Sequence, residues 1–112
     1  MKIAIPCEDK VLCAHFGHCE AFAILDVDMD SKKMGEVEYV TPPHHEPDVL
    51  PKWLAEKQVN LVIAGGMGSR AQQLFGGQGI QVLVGSEAGS PEKVVTNYLD
   101  GSLQSGGNLC DH

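Results

Sequence analysis

The sequence lacks any concentration of positive charge. Its eight lysines and arginines are scattered, only Lys32 and Lys33 being adjacent, and the net charge is −7. Nucleic-acid binding draws on clustered cations that neutralise phosphates, so this chain is not expected to bind nucleic acid. Attachment to an anionic membrane surface is set aside for the same reason. No apolar run approaches the ~20 residues that span a bilayer. The opening MKIAIPCEDK reaches a proline and charges too early for a secretory signal, so a cytoplasmic protein is expected. No two cysteines have C-x-x-C spacing, which argues against a thioredoxin-type motif and a zinc ribbon. The glycine-rich stretch GGMGSR lacks the Gly-Lys-Ser/Thr of a phosphate-binding P-loop, and it lacks the Rossmann spacing.

What is present fits one domain with one core: 112 residues, 43% of them hydrophobic. KIAIP (2–6) is a short apolar run rich in β-branched residues and stopped by proline, which predicts a strand. AFAILDVD (21–28) predicts a second, and MDSKKMG supplies turn chemistry after it. GEVEYVT (35–41) alternates as a half-exposed strand does, so these two strands should pair antiparallel. Asp48 can cap a helix reaching about Lys57, with Val49, Leu50, Trp53 and Leu54 on one face and Pro51 in its first turn. NLVIA (60–64) reads as a buried strand. The next helix turns Ala71, Leu74 and Phe75 inward and stops at Gly76-Gly77. IQVLVG (80–85) predicts a last strand. Ser90-Pro91-Glu92 is a strong helix start, with Val94, Val95, Tyr98 and Leu99 as the apolar face.

The order β-β-β-α-β-α-β-α implies an α/β fold. It predicts a three-layer α/β/α sandwich around a five-stranded mixed sheet. In such sheets ligands gather beyond the carboxyl ends of the parallel strands. Segments 7–19, 65–70 and 85–90 should emerge there. The 42–47 loop joins them if the second strand is the antiparallel one.

The residues with chemistry to offer concentrate in these segments. VLCAHFGHCEAF (11–22) places Cys13, His15, His18 and Cys19 within a few positions, and Cys7 lies just before. Thiolate and imidazole are the natural ligands of iron–sulfur species, zinc and copper(I). Metal binding or redox chemistry is also the better use of clustered cysteines in a reducing compartment. The alternative is that Cys7, Cys13 and Cys19 are small buried hydrophobes, with His15 a hydrogen-bonded turn residue. Cys110 and His112 close the chain with C-x-H spacing, and coordination can order such a tail. PPHHEP (42–47) adds His44 and His45, of which one at most would ligate a given ion, and His45 is the candidate. Backbone N–H groups at GGMGSR, with Arg70, make an anion site of Gly65, Gly66 and Gly68. The same glycines also serve close packing against the sheet. Met67 fits the core, the rim or a soft-ligand role.

Taken together, MKIAIP, HFGHCEAFAILDVD, VNLVIAGGMGSRAQQLF and GIQVLVG resemble the dinitrogenase iron–molybdenum cofactor biosynthesis family of NifX-like carriers and nitrogenase accessory factors. The resemblance covers about residues 1–101, and 102–112 are expected to be a flexible tail. It implies a ribonuclease-H-like α/β/α fold with strand two antiparallel. It also implies a non-enzymatic binder and carrier of a metal–sulfur cluster, containing iron–sulfur or molybdenum. Cluster donor and acceptor proteins would be its partners, and a monomer is the expected state for a carrier. His15 matches the family histidine. A mononuclear zinc- or copper-binding regulatory domain acting through protein contacts is the alternative. A structural interaction domain with incidental thiols is a third. Nuclease chemistry, suggested by the fold alone, would need carboxylates at set strand positions and a basic surface for substrate.

Overall fold

The computed structural model describes residues 1–8, 11–12, 21–28, 30–41, 49–84 and 89–100. Its elements are β1 (Lys2–Glu8), β2 (Val11–Leu12), β3 (Ala21–Asp28), β4 (Lys33–Met34), β5 (Glu38–Val40), α1 (Val49–Glu56), β6 (Leu61–Ile63), α2 (Ser69–Gly77), β7 (Gln81–Leu83) and α3 (Pro91–Asp100).

The strands form one mixed sheet. Its main path runs β4-β3-β1-β6-β7, with β2 paired to β1 and β5 to β3. β1 and β3 are antiparallel, with Ile5 opposite Ala23. β1–β6 and β6–β7 are parallel, and β5 runs antiparallel to β3. Strand two of the expected five is therefore the antiparallel one. Among the described residues the sheet has seven strands, where five were expected. The additions are β2 and β4, two-residue pieces that fold back on the ends of β1 and β3. Periodicity cannot reveal pieces so short, because two residues contain no alternation to read.

Alternation along the strands sorts the side chains into two cores. Ala4, Phe22, Ile24, Val62 and Ala64 face the layer containing Leu50 and Leu54 of α1 and Phe75 of α2. Ile3, Ile5, Ala23, Leu25, Leu61 and Ile63 face Val94, Val95 and Leu99 of α3. Helices on both faces of the sheet make the three layers. Trp53, half-buried on α1, meets the Phe22 ring edge-on at 5.7 Å. The Lys57 ammonium lies 5.2 Å from the Trp53 ring centroid.

Local chemistry explains the element ends. Ser90 caps α3: its hydroxyl accepts the Lys93 amide at 3.3 Å, and Pro91 takes the first helical position. After α2, Gly79 adopts φ +77°, a left-handed conformation open to glycine at little cost. This lets the Ile80 amide reach back to the Phe75 carbonyl at 3.0 Å. Asp28 organises the turn after β3 by accepting the Asp30 and Ser31 amides.

Two strand boundaries differ from expectation. β1 continues through Pro6 to Glu8 instead of stopping at the proline. The Lys2 amide points to Asn60, on the β6 side, so by alternation Pro6 presents its nitrogen to that side too. There the pairing with β6 involves only Ile3 and Ala4, and the missing N–H removes no ladder bond. The third expected strand, 35–41, is regular only over Glu38–Val40. Gly35 is instead held by its amide donating to the Asp26 carbonyl at 2.7 Å.

Candidate functional site

The pairings align the ends of four strands along one edge of the sheet. Val40 lies opposite Phe22 and Phe22 opposite Pro6, while Val62 pairs with both Ala4 and Val82. The chain therefore leaves β1, β5, β6 and β7 at the same edge. β2 lies there too, and its Leu12 amide donates to the Gly89 carbonyl at 2.8 Å, tying the end of β1 to the entrance of α3. Segments 7–19, 65–70 and 85–90 therefore follow strands that end at this rim, and β5 ends there too before 42–48.

The best described part of the rim is the loop from β6 to α2. Gly65, Gly66 and Met67 are buried, whereas Gly68, Ser69 and Arg70 are exposed. Burial of the first two glycines fits their packing role. Met67 has no exposed surface and belongs to the core with Phe75 and Leu54, which argues against the soft-ligand role. The loop is held by Gln72, whose side-chain amide donates to the Met67 carbonyl at 2.9 Å. That contact was not anticipated from sequence. The only available signal was a polar residue one turn into an otherwise apolar-facing helix.

Gly68 is the N-cap of α2, with φ −62° and ψ 153°, and no side chain caps the helix. The first turn contains no acidic residue. A Cβ at Gly68 would meet nothing within 4 Å, so there is open space beside this N-cap. Free N–H groups and the positive end of the helix dipole favour an anion in that space. Arg70 adds an exposed guanidinium in the same turn. The start of α3 differs: there Ser90 provides the cap, and Glu92 already supplies negative charge.

Cys7 is the described cysteine. It is 1% exposed, lies in the α3-side core, and its thiol donates to the Ile5 carbonyl at 3.3 Å. It therefore behaves as a small core residue, as in the alternative of buried hydrophobic cysteines. Cys13, His15, His18, Cys19, His44, His45, Cys110 and His112 lie outside the described residues, as does the expected 102–112 tail. Among the described residues, no three His, Cys, Asp or Glu side chains converge to hold a metal ion. No buried side-chain nitrogen or oxygen among them lacks a partner.

Two open depressions lie away from this loop. One, of about 620 Å³, is lined by Met1, Asp26, Asp28, Asp30, Lys33 and Met34, at the opposite end of the sheet. The other, of about 600 Å³, lies between α3 and the segment leading into β5. No described helix is long and apolar enough to cross a membrane.

Comparison with known proteins places the chain. It is 29% identical over 107 residues to an uncharacterized protein of Methanocaldococcus jannaschii, covering 93% of this chain and 90% of that one. The crystal structure of PH0822 superposes with a TM-score of 0.84 at 29% identity, over 95% of this chain and 96% of the other. The apo orange protein of Desulfovibrio gigas shares the fold, with a TM-score of 0.74 at 22% identity, over 96% of this chain and 94% of that one. The sequence model of the dinitrogenase iron–molybdenum cofactor family matches residues 1–101, a span that includes the Gly65–Arg70 loop. The chain belongs to the dinitrogenase iron–molybdenum cofactor family.

Proposed function

We propose that this protein binds and carries an anionic metal–sulfur cluster, as a NifX-like carrier and not an enzyme. The cargo would sit at the rim where β1, β5, β6 and β7 end. The observation that carries the reading is the family match over 1–101. The chemistry of the described rim agrees with it. An uncapped helix start, open space at Gly68 and the Arg70 guanidinium suit a guest of negative charge, not a bare cation. In this reading the metal-bonding donors come from the segments that leave the same edge: Cys13, His15, His18 and Cys19 after β2, and His45 after β5. Cys110 and His112 would join from the tail.

Division of labour follows from the chemistry. Thiolates and imidazole bond the metal and release it by ligand exchange. The α2 amides and Arg70 offset the charge of the sulfides. The fold serves as a ribonuclease-H-like platform, and donor and acceptor proteins exchange the cargo in the cytoplasm.

The test is anoxic reconstitution of the full chain with iron, molybdate and sulfide, followed by optical spectroscopy. Visible charge-transfer bands are expected, and they should weaken strongly in His15→Ala and in a Cys110→Ser/His112→Ala double variant. A colourless protein that retains only zinc would replace this reading with the mononuclear one.

A further inference from the structure

Gln72 stands one turn into α2 and is tied twice to the loop before it. Its backbone amide donates to the Gly68 carbonyl at 3.1 Å, an ordinary bond of the helix ladder. Its side-chain Nε2 donates to the Met67 carbonyl at 2.9 Å, in a half-buried position. The second bond is not part of helix formation. A helix start needs acceptors for its N–H groups, and no side chain caps α2. Gln72 instead gives a donor to a carbonyl outside the helix, and so fixes the peptide between Met67 and Gly68.

That peptide is of the kind that can turn over. A peptide plane can rotate by about 180° with little movement of its neighbours, as between type I and type II turns. The residue after the plane then takes positive φ, which glycine accepts at little cost. Here that residue is Gly68, now at φ −62°. The two settings present opposite partial charges. A trans peptide directs its N–H opposite to its carbonyl. With the Met67 carbonyl drawn to Gln72, the Gly68 N–H points away from that side chain. Turned over, the plane would point its carbonyl oxygen there, and an oxygen repels an anion. The Met67 side chain has no exposed surface, so its seat in the core holds the residue before the plane in either setting.

We propose that Gln72 is a positioning residue for the anionic cargo: by holding the Met67 carbonyl it makes the peptide before Gly68 offer its N–H, and not its oxygen, to the space at the start of α2. Gln72 touches no cargo itself. Its role toward the cargo rests on the carrier reading above, whereas the setting of the peptide does not. Side-chain chemistry at this position then decides the setting. A donor holds the carbonyl. An apolar side chain leaves the plane free to turn. A carboxylate repels the carbonyl, accepts the Gly68 N–H in its place and reverses the plane.

Two measurements on the full chain test this. The first uses NMR of cluster-free protein, in which the NOE between the Met67 Hα and the Gly68 amide proton reports the plane. At neutral pH this NOE should differ between the unmodified chain and Gln72→Glu. It should return to its unmodified strength as the introduced carboxyl is protonated, near its ordinary pKa of about 4.3, because the acid form donates to the Met67 carbonyl again. A residue that only stabilised α2 would move the Tm and not this NOE. The second measurement is metal and sulfide uptake on anoxic reconstitution at neutral pH with iron, molybdate and sulfide. Uptake should fall at least threefold in Gln72→Met and at least tenfold in Gln72→Glu. Gln73→Glu, which puts the same charge on the exposed neighbour, should stay within twofold of the unmodified chain. Circular dichroism checks that the variants fold. An NOE unaltered by Gln72→Glu would overturn the proposal. So would uptake by Gln72→Glu equal to that of the unmodified chain or of Gln73→Glu, and the carrier reading would survive because the unmodified chain loads. An unmodified chain that takes up no sulfide would overturn the carrier reading, and the cargo role of Gln72 with it.

Discussion

Gly68 is where stability and loading should move in opposite directions. It occupies the N-cap of α2 in an extended conformation, φ −62° and ψ 153°, which any L-residue adopts without strain. A side chain there would enter open space. Gly68→Asp therefore supplies the missing cap. Replacing a capping glycine by aspartate stabilises by a few tenths of a kcal/mol, a net figure that already contains the narrower unfolded ensemble and the charge at the helix start. That corresponds to a rise in Tm of about 1–3 °C for a domain of this size. Loading should fall at the same time, because the carboxylate takes the amides that an anionic cargo would use. Two like charges about 5 Å apart repel by roughly 0.8 kcal/mol in water and about 3 kcal/mol near a protein surface. The cluster should therefore bind at least fourfold more weakly. Gly68→Ser separates cap from charge: similar stabilisation is expected with a smaller loss of loading. Gly68→Ala offers no cap and should not stabilise as much as either. Differential scanning calorimetry of cluster-free protein and metal retention after anoxic gel filtration read the two effects. A Gly68→Asp protein that loads as well as the original, or that melts at a lower temperature, would refute the reasoning.

Other expectations concern the frame that holds the rim. Phe75 is fully buried between α2 and the sheet, and Phe75→Ala should cost about 3–5 kcal/mol in urea unfolding, enough to threaten a small domain. Ser90→Ala removes the cap of α3 and should cost about 0.5–2 kcal/mol by the same measurement. Gly79→Ala forces a Cβ into φ +77° and should cost about 1 kcal/mol or more, with hydrogen exchange quickening at the Ile80 amide. The Asp28 carboxyl is held below its ordinary pKa by hydrogen bonds from Ser31, then Asp30. Its folded value lies below its unfolded one, so its contribution is complete above the unfolded pKa and disappears as pH falls through the folded one. Asp28→Asn should lower the Tm slightly at neutral pH, where the ionised carboxyl contributes, and leave it nearly unchanged in acid, so that the profile flattens below about pH 4.

Much of the fold is written in local chemistry. The Ser90-Pro91-Glu92 helix start, the buried pattern of Leu61–Ile63 and the glycine stop after Phe75 each rest on contacts within a few residues, and each is found where the pattern predicts. β1 could not be read to its end, because the tolerance of Pro6 depends on how far β6 extends beside it, a long-range fact. β2 and β4 were too short to show a period. For the site, the glycine loop was recognisable by its composition, and its lack of a cap follows from Gly68 having no side chain. The role of Gln72 was not visible, since a polar residue on a helix carries no mark of what it will bond. The groove beside α3 was hidden for a similar reason. Of the strand expected over 35–41 only Glu38–Val40 is regular, and only the approach of Glu92 from α3 makes a pocket of that segment and the residues leading into it.

The account stands on the carriage of an inorganic, sulfide-containing guest. Metal and acid-labile sulfide per chain, quantified in anoxically prepared full-length protein after gel filtration, test this most directly. The account predicts metal and sulfide in fixed proportion to protein, reduced together when Gly68→Asp fills the start of α2. Folded protein that carries no sulfide, or that carries zinc unaffected by Gly68→Asp, would contradict it.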